Sequence, residues 1–242
     1  MEYKKFSDAL CRWGPKFKRF IESEDMDKIY HKLKSDSKVG KKLTPDSKDT
    51  FRVFCEVPPE KLRVVWFLQD PYPSIKNGEL VATGVALDCS RTKVLQASLE
   101  IFYDSMEREL ANGMDLGMIK DPSLDHLLKQ GIMLINSDLT CEVGKSGSHE
   151  GLWKPFMRYF IEEILNKEER GLIFVLSGKS SQRLEKYINP LQHYIFKTSH
   201  PASAAYLGKN WDSEGIFGKI NNILKQNNGE EYQIDWIDSV PF

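Results

Sequence analysis

Three polar residues that could do chemistry each lie just beyond an apolar run of the chain. Asp70, Asn136 and His200 all come within three residues of the end of such a run. They supply a carboxylate, a carboxamide and an imidazole, which are groups that stabilise charge, read hydrogen-bonding patterns and move protons. If the runs are parallel strands of one sheet, the three side chains converge at one edge of it, where open α/β sheets bind their ligands.

Each of these residues also has an ordinary structural explanation. An Asp before a Pro is commonly a turn former or a helix cap, an Asn after a strand commonly satisfies backbone groups, and a His before a Pro is commonly a loop residue. Taken singly, each is more often structural than functional. It is their occurrence at the ends of three separate strands that indicates a site.

The elements that must position them alternate along the chain. Apolar runs predict strands, the deepest of them apolar at nearly every position, as a sheet covered on both faces requires. The predicted strands are 63–68, 83–87, 131–135, 172–176 and 194–197, and the predicted helices are 94–112, 122–130, 153–168, 179–187 and 214–226. This order predicts a three-layer αβα sandwich around a mostly parallel sheet.

The first 48 residues form a basic extension of a single domain that spans 1–242. Apolar residues at helical spacing predict two helices within 1–34, separated at Gly14-Pro15. The stretch 32–48 holds six lysines against two aspartates and contains Pro45, so we expect it to be a basic loop.

Composition narrows the function classes without deciding among them. The formal net charge is −1, so the whole-chain balance does not indicate a nucleic-acid or membrane partner. The four cysteines are scattered singly, with no CxxC pair, and we expect a reduced protein without metal or cofactor. Neither a signal-like apolar segment nor a membrane-length run occurs, which favours a cytoplasmic protein, or a nuclear one if the source is eukaryotic or viral.

Three motifs in order give the chain a family resemblance. The segment 68–73 (LQDPYP) resembles the GQDPYH motif of the Ung-type uracil-DNA glycosylases, 133–140 (MLINSDLT) resembles their LLLN-x-x-LT segment, and 200–205 (HPASAA) resembles their HPSPLS loop. The likeness covers roughly 45–236 in the expected order. Such ordered agreement is far more specific than any single motif.

The resemblance implies roles for the residues at the strand ends. Asp70 would stabilise the cationic sugar and orient the attacking water, while His200 would hydrogen-bond the uracil O2 as a neutral donor, with the backbone N–H of Gln69 facing the same oxygen. Asn136 would read O4 and N3–H of uracil, and Tyr72 would exclude the methyl group of thymine. The base must first be flipped out of the duplex.

Departures from the family pattern fall where the base and the DNA would be held. Pro73 stands where the family has a histidine, and the loop that follows it is longer. Leu87 stands where a phenylalanine would stack on the uracil, and a base stacked on an aromatic ring gains about 1–3 kcal/mol. Ala204 stands where a leucine would wedge into the duplex, although Tyr206 or Leu207 could substitute.

The resemblance places DNA contacts on two short loops. The predicted DNA-binding residues are Ser177, Gly178, Lys179, Pro201, Ala202, Ser203 and Ala204. Backbone N–H groups and hydroxyls there would bind phosphate oxygens. Lys179 would add a positive charge where the family has a serine, although a solvated lysine is an equally good explanation.

The function predicted is hydrolysis of the N-glycosidic bond of deoxyuridine in single- or double-stranded DNA, as in base excision repair. We expect a monomer, with a replication or inhibitor protein as a further candidate partner. The rival is a glycosylase-like DNA-binding or replication-accessory module with weak or no catalysis, since Pro73, Leu87 and Ala204 are all altered. A third hypothesis is that the chain is a glycosylase of this kind whose base is a C5-substituted uracil.

Overall fold

The computed structural model describes residues 3–111 and 119–237. Its strands are β1 (Leu43–Thr44), β2 (Val64–Leu68), β3 (Ile75–Lys76), β4 (Glu79–Leu80), β5 (Ile132–Asn136), β6 (Cys141–Glu142), β7 (Ile173–Ser177) and β8 (Tyr194–Thr198). Its α-helices are α1 (Tyr3–Ala9), α2 (Lys18–Ile21), α3 (Glu24–Lys38), α4 (Arg52–Glu56), α5 (Ala97–Leu110), α6 (Asp125–Lys129), α7 (Lys154–Tyr159), α8 (Lys179–Gln182), α9 (Pro201–Tyr206) and α10 (Ile216–Asn228).

Four parallel strands form the central sheet in the order β5-β2-β7-β8. Every residue of β2, β5 and β7 is buried, so both faces of these strands are covered, as their continuous apolar runs predict. Trp66 of β2 contacts Phe102 of α5 and Phe217 of α10, which lie on one of those faces. The predicted α/β architecture with a parallel sheet is confirmed.

The strand order reverses beside the first strand of this sheet. From β2 the chain crosses to β5 on one side and then to β7 on the other, which makes the carboxyl ends of β2 and β7 a topological switch point. Asp70 follows β2 and Gly178 follows β7. A crevice for a ligand is therefore expected between these two chain segments.

One predicted strand is wrong. Residues 83–87 are buried apart from the half-buried Gly84, but they form no strand. The backbone turns sharply here, since Gly84 has φ +86° and Leu87 has φ +66°. A Cβ at Gly84 would lie 1.8 Å from the carbonyl oxygen of Asp49, so only glycine fits there. The apolar residues of this segment predicted its burial correctly, but they did not show that it pairs with no strand.

The amino-terminal segment is more helical than predicted. Helix α3 begins after Ser23, whose side chain accepts a hydrogen bond from the Met26 N–H, and it continues to Lys38. The expectation of a basic loop over 32–48 is therefore wrong for its first seven residues. A 3₁₀ helix, Cys11–Phe17, accommodates Gly14-Pro15.

Aromatic side chains join this segment to the rest of the molecule. Trp13 and Phe17 are fully buried and contact Phe54, and Phe17 stacks on Phe156 at a centroid distance of 4.7 Å. They belong to the same hydrophobic cluster as the strands of the sheet. The first helices therefore contribute to the common core.

Two cysteines correct the expectation of a fully reduced chain. Cys11 and Cys55 form a disulfide that links the 3₁₀ helix Cys11–Phe17 to α4, whereas Cys89 and Cys141 are buried free thiols. The pairing joins positions 44 residues apart in sequence, so spacing gives no sign of it.

The remaining helices differ from prediction mainly at their ends. The predicted helix 153–168 is composite, with α7 followed by a π turn, Phe160–Ile164, and a 3₁₀ turn, Leu165–Lys167. Helix α5 is described to Leu110, and the predicted end at 112 lies outside the described residues. Within 3–111 and 119–237, no helix combines the length and apolar character needed to cross a membrane.

Candidate active site

A cavity of about 700 Å³ opens at the carboxyl edge of the central sheet. Both predicted catalytic residues, Asp70 and His200, line it. The predicted substrate-binding residues Gln69, Tyr72, Leu87 and Asn136 line it as well. These residues come from four parts of the sequence, 69–72, 87, 136 and 200. Those at the ends of β2, β5 and β8 meet because parallel strands end at one edge of the sheet.

Asp70 lies in the turn that leaves β2. Its carboxylate accepts hydrogen bonds from the Ser146 hydroxyl, at 3.0 Å to Oδ1 and 2.9 Å to Oδ2, and from the Gly147 N–H at 2.6 Å. Burial raises the pKa of Asp70, while the hydrogen bonds from Gly147 and Ser146 lower it. The partly buried carboxylate is thus held by the loop between β6 and α7.

His200 lies at the start of α9, and its ring is fixed by the backbone. The Nδ1 atom accepts a hydrogen bond from the Ala202 N–H at 3.1 Å, so Nδ1 carries no proton and a neutral ring carries it on Nε2. Burial lowers the pKa of His200 to about 4. At neutral pH the imidazole is therefore an uncharged donor.

Asn136 ends β5 and presents its carboxamide to the cavity. Its backbone is held in the sheet opposite Leu68, and the residue is only 8% exposed. Within the described chain, no hydrogen bond engages its side chain. A buried carboxamide without internal partners is free to bind a ligand that offers both a donor and an acceptor.

Tyr72 and Leu87 form an apolar wall of the same cavity. The Tyr72 hydroxyl lies 2.8 Å from the Ser98 hydroxyl and donates to the Leu87 carbonyl at 3.3 Å. Burial is the main cause of the raised pKa of Tyr72, so the phenol stays protonated. These bonds fix the phenol ring in one position.

The predicted DNA-binding residues divide into two groups. Lys179 and Gly178 line a groove beside the cavity, Ser203 lines both, and Ala202 lines the cavity. Ala204 instead packs against the hydrophobic core.

Two of the predicted DNA-binding residues have buried side chains. Ser177 is fully buried, and its hydroxyl accepts from Trp66 Nε1 and pairs with Thr198, both at 2.8 Å. Pro201 is buried in the first turn of α9. Whether the end of a strand is buried depends on which side chains pack over it, and its position in the sequence does not show this.

Sequence reasoning missed the loop that contacts Asp70. Ser146 and Gly147 lie 76 and 77 residues beyond Asp70 in sequence, and a serine followed by a glycine is a common turn pattern. Tyr206 and Leu207, considered only as substitutes for the wedge, line the cavity mouth and are 95% and 69% exposed. The described residues contain no cluster of three or more side chains suited to bind a metal.

Known proteins resemble this chain over most of its length. The uracil-DNA glycosylase of Pseudomonas aeruginosa (strain UCBPP-PA14) is 32% identical over 220 residues, which are 88% of this chain and 90% of that protein. The uracil-DNA glycosylase of Acinetobacter baylyi is 30% identical over 225 residues, covering 93% of this chain and 90% of its own. No protein-family model matches the chain.

Solved structures of uracil-DNA glycosylases also resemble this chain in fold. The crystal structure of mimivirus uracil-DNA glycosylase has a TM-score of 0.81 at 25% identity, covering 97% of this chain and 93% of its own. A variant of the mimivirus enzyme in complex with UGI has a TM-score of 0.83 at 27% identity, over 93% of this chain and 88% of its own.

Fold, site and relatives together define a DNA N-glycosylase, a hydrolase of N-glycosidic bonds. The rival class, a binding module without catalysis, has no support among these relatives. With 32% identity to a curated member over 88% of its length, this chain belongs to the uracil-DNA glycosylase family.

Proposed function

We propose that this chain releases uracil from DNA with Asp70 and His200 as catalytic residues and Asn136 and Tyr72 as the residues that select the base. The observation that carries the proposal is the cavity that brings a held carboxylate, a neutral imidazole and an unpaired carboxamide together. Each of the three groups matches one requirement of the reaction.

Opposite charges develop when the bond between uracil and deoxyribose breaks. The sugar becomes oxocarbenium-like, and the base leaves as an anion. The charge of Asp70 stabilises the sugar cation, and its carboxylate orients the attacking water. His200 donates its Nε2–H to O2 of the leaving uracil. Its low pKa keeps the ring neutral, so it acts as an uncharged hydrogen-bond donor.

Asn136 selects uracil by its hydrogen-bonding pattern. Its NH₂ group donates to O4 while its oxygen accepts from N3–H. Cytosine presents an amino group in place of O4 and a bare N3, so both contacts would fail. A buried carboxamide left with mismatched partners is a large penalty.

Tyr72 selects against thymine by its bulk. The bonds to Ser98 and the Leu87 carbonyl prevent the ring from moving aside for a methyl group on C5. We therefore retain uracil as the base and place C5-substituted uracils outside the substrate range. Leu87 supplies an apolar contact to the base without aromatic stacking.

Base flipping requires that DNA be held and its gap filled. Lys179, Gly178 and Ser203 lie along the groove beside the cavity, where backbone N–H groups, a hydroxyl and an ammonium bind phosphates. Tyr206 projects from the cavity mouth and fills the space left by the flipped base, because Ala204 is too small and packs on the core.

The whole chain, 1–242, works as one domain and as a monomer. Residues 1–48 are a basic extension whose aromatic side chains pack in the common core. Uracil-containing DNA, single- or double-stranded, is the partner, and an inhibitor protein is a second one, since UGI binds the mimivirus relative. Function in base excision repair follows from the product, an abasic site.

The test is release of uracil from single- and double-stranded oligonucleotides. Asp70→Asn removes the negative charge while keeping the shape, and we expect its single-turnover rate to fall by about a thousandfold or more, because electrostatic stabilisation is the largest contribution here. Asp8→Asn, at an exposed aspartate of α1, is the matched control and should behave like the wild type. Equal rates for Asp70→Asn and the wild type would overturn the proposal.

A further inference from the structure

The loop between β6 and α7 closes over the carboxylate of Asp70. The Ser146 Oγ lies 3.0 Å from Oδ1 and 2.9 Å from Oδ2 of Asp70, and the Gly147 nitrogen lies 2.6 Å from Oδ2. Gln69 donates from Nε2 to the Ser146 Oγ at 3.4 Å. This bond occupies a lone pair of the serine, so its single proton is directed to the carboxylate.

The residues next to Asp70 in sequence make no side-chain bond to its carboxylate, and the Gln69 amide donates to Ser146 instead. Pro71 and Pro73 have no side-chain donor, and the hydroxyl of Tyr72 is engaged by Ser98 and by the carbonyl of Leu87. The side-chain donor to this carboxylate therefore comes from Ser146, in the loop between β6 and α7.

The loop that carries Ser146 is held at both ends. At its start, the Gly144 N–H donates to the Pro73 carbonyl at 2.7 Å. At its end, His149 contacts Thr140 through Nδ1 at 2.8 Å and Asp36 through Nε2 at 3.1 Å. Gly147 has φ +75°, a conformation that turns its N–H toward Asp70 and that other residues adopt at a cost. The serine hydroxyl is thus presented by a fixed backbone.

We propose that Ser146 is a positioning residue that fixes the Asp70 carboxylate for catalysis. Ser146 lies within bonding distance of both carboxylate oxygens, and Gly147 adds a second contact to Oδ2. Oδ1 therefore has fewer partners and keeps a lone pair for the attacking water. The inference rests on the proposed function, in which Asp70 orients that water. A rotating carboxylate would hold the water only part of the time, and misplacement of reacting groups by 1 Å lowers rates by up to about a hundredfold.

The groups around Asp70 determine how its pKa, and so the pH dependence of the rate, should change when Ser146 is altered. Burial raises the pKa of the carboxyl group, and the bonds from Gly147 and Ser146 lower it. Asp70 in turn contributes to the raised pKa values of Asp138 and Cys141, which are shifted mainly by burial. A carboxyl group and a thiol supply no positive charge that could replace the hydroxyl. His200 lines the same cavity. Loss of the Ser146 hydroxyl should therefore raise the pKa of Asp70.

The experiment compares Ser146→Ala, Ser146→Thr and Ser35→Ala in single-turnover uracil release. Ser146→Ala should slow the reaction by about ten- to a hundredfold, the range for a lost hydrogen bond to a charged group, without weakening DNA binding. The acid limb of its rate profile should move to higher pH, because Asp70 must be ionised to act. Ser146→Thr keeps a hydroxyl and should restore the rate, and Ser35→Ala changes an exposed serine of α3.

A double-mutant cycle separates positioning from folding. In the Asp70→Asn background, Ser146→Ala should cost little further, because the carboxylate through which it acts is gone. An unchanged rate and an unchanged acid limb in Ser146→Ala, with an active wild type, would overturn the role of Ser146 alone. A wild type that releases no uracil would overturn the proposed function and this role with it.

Discussion

At Gly178 the fold leaves no room for a side chain beside His200, which we propose to be catalytic. It follows β7 with φ +88°, and a Cβ built there would lie 2.9 Å from the Cβ of His200. Carbon atoms pack at about 3.5–4.0 Å, so Gly178→Ala must push His200 away by at least about 0.6 Å. The imidazole would then move off the position from which Nε2–H meets the uracil oxygen.

Two separate costs follow from this change. An alanine with a positive φ loses about 1–2 kcal/mol of stability, whatever its neighbours. The displaced imidazole should lower the single-turnover rate by about ten- to a hundredfold. Gly178 also lines the groove where we propose that DNA binds. The rate should therefore be measured with enzyme in saturating excess over the oligonucleotide, so that weaker DNA binding does not affect it.

Gly40→Ala is the matched control. Gly40 has a similar φ, +82°, and nothing lies within 4 Å of its added Cβ. Both variants should unfold at lower urea concentration than the wild type, but only Gly178→Ala should lose rate. If Gly178→Ala releases uracil as fast as Gly40→Ala under saturation, the contact with His200 does not control catalysis and the reasoning fails.

Three further predictions test other parts of the molecule. Asn136→Leu should lower kcat/KM for uracil release by about a hundredfold or more, since O4 and N3–H lose their partner, and a rate equal to wild type would remove Asn136 from recognition. Tyr206→Ala should slow release from double-stranded DNA far more than from single-stranded DNA, because only a duplex needs its gap filled; equal slowing on both substrates would contradict a wedge. Asp36→Asn should cost about 1–3 kcal/mol of unfolding free energy at neutral pH. Burial opposes ionisation of Asp36, but its bonds from Lys32, Lys41 and His149 prevail and lower its pKa from 3.8 to about 2. That stability is present above pH 3.8 and is lost as pH falls toward 2, so the urea midpoints of Asp36→Asn and the wild type should converge in acid.

The positions of Asp70, Asn136 and His200 could be predicted because they depend on a local pattern. A strand buried on both faces must be apolar at nearly every position, and such a run is visible in sequence. Parallel strands end at a common edge, so polar residues that follow them must meet. The carboxyl ends of β2, β5 and β8 therefore brought these three residues into one cavity as expected.

Elements without a periodic or spacing signal could not be predicted. Residues 83–87 are as apolar as a strand, yet Gly84 packs against the backbone of Asp49 and the segment turns instead of pairing. Nothing local distinguishes Cys11 and Cys55, which pair across 44 residues, from the two free thiols.

Sequence by itself determined the kind of sheet, the residues at its edge and the family they resemble, because burial and strand ends leave local traces. Only the tertiary structure decided which groups hold them: Ser146 reaches Asp70 from 76 residues away, and the Ala202 N–H fixes the proton on His200. It also decided that the hydroxyl of Ser177 lies inside the fold. Contacts of this kind depend on where loops pack on one another, and that is set by the whole chain.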